Sequence, residues 1–217
     1  MVSATDPPEA AAPAPAACPV IALVSSAGGL AATGLVLEAM PPDLAAAVIV
    51  LQHISPDYRS VLPDILAKRT GLRVTAAHDG QPLLAGQVAV APPGRHLLVT
   101  GERLLALIPS GPFPPSRPSA DLLLVTLAVA AGRDVVAVIL SGRGNDGATG
   151  AAAVHRFGGT VVATDADTSN HFDMPHAAIM RDSVVDHVVP LSRVGPLLLD
   201  LVHPRPSSPG RLHHETP

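Results

Sequence analysis

Residues 135–150 read VVAVILSGRGNDGATG, and the parsing of this stretch decides the fold. Six apolar residues, most of them β-branched, run directly into a segment rich in Gly, Asn and Asp. Small residues that suit a helix start come next. A short apolar run that ends in turn residues and leads into a helix is the pattern of a strand buried on both faces of a parallel sheet. The same pattern occurs twice upstream: residues 19–24 (PVIALV) run into SSAGG, and residues 47–51 (AVIVL) run into QHIS. If the three runs are parallel strands of one sheet, Ser26, His53 and Asp146 all emerge at its carboxyl edge, where open α/β sheets place their ligands.

The rest of the chain supports this reading. Helical stretches are expected at residues 28–40, 57–70, 119–131, 148–157 and 191–202, with Pro63 marking a late start or a kink in the second. Ser119 is placed to cap the third helix, and Asp121 suits its first turn. Further strands are expected at residues 160–163 and 184–189. The alternation predicts an α/β fold in three αβα layers, with a mostly parallel, doubly wound sheet. Residues 73–107 differ. Short runs at 87–91, 96–100 and 103–107 follow one another, and Gly101 and Glu102 separate the last two at hairpin distance, which predicts a β-hairpin flanking the sheet.

Composition narrows the function classes. The chain has 217 residues, enough for one domain with a substantial core and short for two. Apolar residues make up 47% and aromatics 2%, so the core must be aliphatic. A net charge of −4 with a single lysine, Lys68, offers no basic stripe for a nucleic-acid backbone. One cysteine, Cys18, excludes an internal disulfide and is compatible with a reducing compartment. No apolar run reaches the roughly 20 residues of a membrane span, and the first residues lack a signal-peptide pattern. A cytoplasmic location is the expectation. The domain is expected at 18–203, between tails at 1–17 and 204–217 whose Ala/Pro-rich and Pro/Ser/His-rich compositions suit disorder.

Three readings compete for the strand-end residues. A serine, a histidine and an aspartate at one sheet edge are the parts of a hydrolytic triad, with His53 one βα unit after Ser26. Gly142, Gly144 and Gly147 also spell G-x-G-x-x-G between a strand and a helix, and Asp165 follows about 20 residues later, as in a dinucleotide-binding fingerprint. A glycine-rich turn with a structural serine cap is the third option. Local pattern alone leaves all three open.

The order and spacing of the motifs favour one of them. SSAGG resembles an A-S-T-G-G serine turn, LQHIS a V-Q-H-M segment, and LSGRGNDGATG an L-T-G-M-G-x-D-G-A-x-G loop. VAVAPPGRHLLV and SRPSAD match as well, and DMPHAAI is similar to G-M-P-x-x-A. Together, from about Val20 to Val202, the chain resembles the catalytic domain of the chemotaxis methylesterase CheB family. The resemblance implies that Ser26 is the nucleophile, His53 the general base and then acid, and Asp146 its orienting partner. It implies hydrolysis of glutamate methyl esters on chemoreceptors or another methylated protein, with deamidation of receptor glutamines as a related activity, and no metal or organic cofactor. Backbone N–H groups near Ala27 and Arg143 are then the candidate oxyanion donors. Arg117 and Met174 are candidate groove residues, for which a solvated arginine and a packed methionine are the structural alternatives.

Two departures stand out. Val24 and Ser25 replace the family's Gly-Ala before the serine, and Arg143 replaces a methionine beside the expected oxyanion site, which leaves a catalytically silent interaction domain as a further alternative. Family members typically carry an N-terminal receiver domain. Here an Ala/Pro segment precedes the first strand, so the expectation is a stand-alone domain without phosphorylation control in cis.

Overall fold

A computed structural model of the chain describes residues 18–56, 60–111 and 117–202. In chain order the elements are β1 (Val20–Ser25), α1 (Gly29–Glu38), β2 (Ala47–Gln52), α2 (Leu62–Ala67), β3 (Arg73–Ala76), β4 (Gln87–Val90), β5 (Arg95–Val99) and β6 (Leu105–Pro109). They continue as α3 (Ala120–Ala131), a 3₁₀ turn at Gly132–Asp134, β7 (Val135–Ile139), α4 (Ala148–Arg156), β8 (Thr160–Thr164), α5 (Asp173–Ile179), β9 (His187–Val189) and α6 (Leu191–Val202).

Seven strands form one sheet in the order β3-β4-β2-β1-β7-β8-β9, with every pairing parallel. The chain builds outward from β1 through β2, then returns to the other side of β1 for β7. This reversal makes a topological switch point beside β1, the place where such sheets open a crevice for ligands. The three strands that precede Ser26, His53 and Asp146 are therefore adjacent.

Strand alternation sorts the core into two faces. Val20, Ala22 and Val24 of β1 and Val135, Ala137 and Ile139 of β7 meet Leu123, Leu124 and Leu127 of α3. Ile21 and Leu23 of β1 meet Val36 and Leu37 of α1 and Leu198 of α6 on the opposite face. Each fully buried aliphatic side chain contributes roughly 1.5–3 kcal/mol, so a core nearly without aromatics is sustained by number rather than size.

Strands β5 and β6 pair antiparallel in a separate two-stranded sheet, the expected hairpin. Its turn is longer than predicted. Arg103 N donates to Thr100 O (2.9 Å), Thr100 N donates to Leu104 O (2.9 Å), and Arg103 lies in the left-handed region at φ 59°. A turn followed by a left-handed residue is the three-residue solution to a hairpin, and it moves the second strand from 103–107 to Leu105–Pro109. Arg103 is held in this conformation by its guanidinium, which bonds Cys18 O (3.1 Å) and the Asp134 carboxylate.

Other boundaries also differ from expectation. The second helix takes the late start, with Pro63 in its first turn, and residues 57–59 of the expected helix lie outside the described residues. The last strand keeps only His187–Val189 of residues 184–189. Residues 73–76 and 87–90 join the parallel sheet as its far edge. Residues 173–179, quoted above only as a motif, form a short helix. The expected tails, 1–17 and 204–217, are outside the described residues, as are 112–116 of the proline-rich loop.

Candidate active site

Strand β1 ends at Ser25, and the chain then turns sharply into α1. Gly29 N donates to Ser26 O (2.9 Å), with Gly28 at φ 78°, ψ −5°, the third position of a type II turn. Glycine is required there twice over: a side chain would need positive φ, and its Cβ would lie 2.7 Å from Ser141 Oγ and 2.9 Å from Asn170 Cβ. Ser26 N donates to Ser141 O (3.0 Å), which ties the serine turn to the end of β7. Ser141 Oγ donates to Ala27 O (2.8 Å) and accepts from His171 N (2.9 Å). Ser141 was not singled out from sequence. Its only signal there is that it follows the β7 run directly.

His53 follows β2, and its N–H continues the parallel ladder by donating to Ser25 O (3.0 Å). Its Nε2 donates to Asp146 Oδ2 (2.8 Å), with side-chain exposures of 14% and 8%. That bond fixes the tautomer, leaving Nδ1 as the ring nitrogen able to accept a proton. Ser26 is half-buried in the turn between them, and among the described residues no hydrogen bond joins its Oγ to His53.

Asp146 is held by the start of α3. Ala120 N donates to Oδ2 (2.7 Å), Asp121 N to Oδ1 (3.0 Å) and Ser119 Oγ to Oδ1 (3.1 Å). Burial alone would raise the carboxyl pKa. The hydrogen bonds from His53, Asp121 N and Ala120 N outweigh it and hold Asp146 below the ordinary carboxylate range. Ser119 caps α3 as expected, its Oγ accepting from Leu122 N (3.3 Å). Its own N–H donates to Nδ1 of His96, a buried residue of β5 (3.0 Å). The hairpin thus braces the helix start that braces Asp146. His96 was legible from sequence only as part of the VAVAPPGRHLLV motif.

The dinucleotide reading fails on the same loop. The start of α4, where a pyrophosphate would sit, already holds a carboxylate: Asp121 Oδ1 accepts from Gly147 N (2.9 Å) and Gly150 N (2.7 Å). A second negative group is disfavoured there. A Cβ on Gly142 would fall 2.1 Å from Met174 Sδ and 3.0 Å from Ser26 Cβ, so the glycine serves close packing of the loop on the serine turn. Asp165, the supposed ribose ligand, is engaged locally by Thr168 N (3.0 Å) and Thr168 Oγ1 (2.6 Å).

Among the described residues the backbone N–H groups of Ala27 and Arg143 have no protein acceptor. Arg143 is exposed, its Nε 3.4 Å from Nδ1 of His171. Arg117 is half-buried; it donates to Gly111 O (2.9 Å), and its own carbonyl accepts from Ile54 N (3.3 Å) beside His53. Met174 is 1% exposed and is a packed methionine, not an open groove wall. Val24 and Ser25 are fully buried on opposite faces of the sheet, Val24 in the core with α3 and Ser25 beside Gly29 of α1. On the α1 side, the buried atoms Ser25 Oγ, Thr33 Oγ1 and Gln52 Oε1 have no hydrogen-bond partner among the described residues. Among the described residues, no helix is long and apolar enough to cross a membrane, and no cluster of His, Cys, Asp and Glu is suited to a metal ion.

Comparison with known proteins agrees with this fold. The model of the CheB methylesterase family matches residues 21–198. A Myxococcus xanthus (strain DK1622) protein-glutamate methylesterase/protein-glutamine glutaminase 1 is 39% identical over 189 residues, which are 86% of this chain and 54% of that protein. The Myxococcus xanthus protein-glutamate methylesterase FrzG is 36% identical over 203 residues, 93% of this chain and 60% of that one. The chain thus spans little more than half the length of these curated relatives. The crystal structure of the Thermotoga maritima CheB methylesterase catalytic domain superposes with a TM-score of 0.81 at 31% identity, covering 86% of this chain and all of that one.

Proposed function

Because this chain belongs to the CheB methylesterase family, we propose that it hydrolyses glutamate methyl esters on a protein, with Ser26 as nucleophile. The observation that carries the reading is the His53–Asp146 hydrogen bond at the switch point of the sheet, directly beside the Ser26 turn. In this mechanism Ser26 Oγ attacks the ester carbonyl while Nδ1 of His53 takes its proton. The imidazolium is stabilised by Asp146, whose low pKa keeps it ionised. The N–H groups of Ala27 and Arg143 are the candidate donors to the oxyanion. Methanol leaves with the proton from His53, giving a glutamyl ester of Ser26. Water then adds to this ester as His53 takes its proton, Ser26 leaves as the free hydroxyl, and the glutamate carboxylate is released.

The same steps on a glutamine side chain release ammonia in place of methanol, the second activity in the names of several relatives. The substrate class is a methylated chemoreceptor or another methylated protein, met in the cytoplasm. The test is methanol release from a methylated receptor. Wild type should release it, and Ser26→Ala should fall to background with an unchanged melting temperature; equal release by both proteins overturns the reading. A fluorophosphonate probe adds a check, since a catalytically silent domain would leave Ser26 unlabelled.

A further inference from the structure

We propose that Asp121, outside the Ser-His-Asp set, is a positioning residue that aims Asp146 at His53. The inference rests on the ester-hydrolase reading and on an exchange of carboxylates between two helices. Asp146 immediately precedes Gly147, the residue before α4, yet its carboxylate accepts from the first two N–H groups of α3. Asp121 is the second residue of α3, yet its Oδ1 accepts from Gly147 N and Gly150 N at the start of α4. Each acid satisfies N–H groups that the other's helix leaves unpaired.

The close approach that permits this exchange is built in. A Cβ on Gly150 would lie 2.5 Å from Leu124 Cβ and 3.2 Å from Asp121 Cα, so only glycine lets the two helix starts meet. Gly147 supplies no side-chain cap to α4, and Asp121 takes over that role. The bond to Gly147 N holds the peptide next to Asp146, so the loop cannot drift without stretching it. A displacement of about 1 Å at a catalytic partner can cost roughly 10²-fold in rate.

What the geometry asks of Asp121 is an acceptor, since a single oxygen, Oδ1, takes both N–H groups. Burial pushes its carboxyl above the ordinary range, and Asp146 pushes the same way, against the lowering effect of the N–H groups of Gly150, Gly147 and Thr149. Asparagine, with a carbonyl oxygen at the same reach, should therefore replace it.

The experiment compares wild type, Asp121→Ala, Asp121→Asn and Asp121→Glu on a small glutamate methyl ester, with the His53 imidazole N–H proton followed by NMR. Asp121→Ala should lower kcat about ten- to hundredfold with KM within about threefold, and the His53 resonance should leave its wild-type position. Asp121→Asn should stay within about threefold of wild type in kcat. A folded Asp121→Ala protein with wild-type kcat and resonance overturns the proposal, as does an Asp121→Asn protein as impaired as Asp121→Ala. If Asp121→Ala does not fold, Asp121→Glu carries the test: the extra methylene misplaces the acceptor, kcat should fall as for alanine, and a wild-type kcat overturns the proposal. An inactive wild type would instead defeat the ester-hydrolase reading, while the His53 resonance would still report whether Asp121 positions Asp146.

Discussion

The two flanks of the sheet edge around Ser26 are built on opposite terms. On the α3–α4 side, the Asp146 carboxylate accepts from two backbone N–H groups, a hydroxyl and an imidazole, and Asp121 is satisfied reciprocally. On the α1 side, Ser25 Oγ, Thr33 Oγ1 and Gln52 Oε1 are buried without a partner among the described residues. There the serine turn is shaped by close packing and backbone bonds: a Cβ on Gly29 would lie 2.3 Å from Ser25 Oγ, and Ser26 N is tied to Ser141 O. Asp146 is thus fixed by directional bonds and the Ser26 turn by sterics. A residue whose task is to orient an imidazole gains from saturation. The proposed nucleophile, Ser26, is held through its backbone N–H to Ser141 O, and among the described residues its hydroxyl has no bond to His53 to give up before it meets a substrate.

The contrast can be broken most severely at the saturated flank. Asp146→Asn should lower kcat by about 10³–10⁴-fold, because an amide no longer enforces the Nε2–H tautomer of His53. The same variant tests the electrostatics. Asp146 has a folded-state pKa below the ordinary value of 3.8, so its stabilising contribution is complete above that value and is lost as pH falls through the folded pKa. Acid titrations followed by circular dichroism should therefore show a smaller loss of stability on acidification in the Asn variant than in wild type.

At the junction of the two flanks, Gly142→Ala would place a Cβ against Met174 Sδ and Ser26 Cβ. It should destabilise the fold by about 1–3 kcal/mol in urea unfolding and lower kcat through the displaced serine turn. An unchanged Cm would mean that Met174 can move aside. The smallest effect is expected on the unpaired flank. Ser25→Ala removes a buried hydroxyl with no protein partner, so stability should hold or rise by up to about 1 kcal/mol. A loss of more than that would reveal a partner for the hydroxyl and erase the contrast.

Legibility from sequence followed how local the cause was. The β-branched runs announced β1, β2 and β7 because burial on both faces demands continuous apolar residues. Ser119 announced itself as a cap because capping involves neighbours in the chain. The hairpin was legible but its register was not, since Arg103 adopts a left-handed conformation held by Cys18 O and Asp134, both distant in sequence. Helix α5 is short, begins at Asp173 and contains Pro175, so it shows no helical period. The edge strand β3, with exposed ends at Arg73 and Ala76, lacks the continuous apolar character of a central strand.

By itself, then, the sequence determined that β1 and β2 lead directly into Ser26 and His53 and that β7 leads through a glycine loop to Asp146, and its ordered motifs carried the family. Those properties live in short stretches, where residue type and spacing are sufficient. Only the tertiary structure decided which carboxylate occupies which helix start, and with it that Asp121 fills the place at α4 where a pyrophosphate would sit. Asp121 and Gly147 are 26 residues apart, and no local pattern encodes a hydrogen bond that exists only once α3 and α4 have packed.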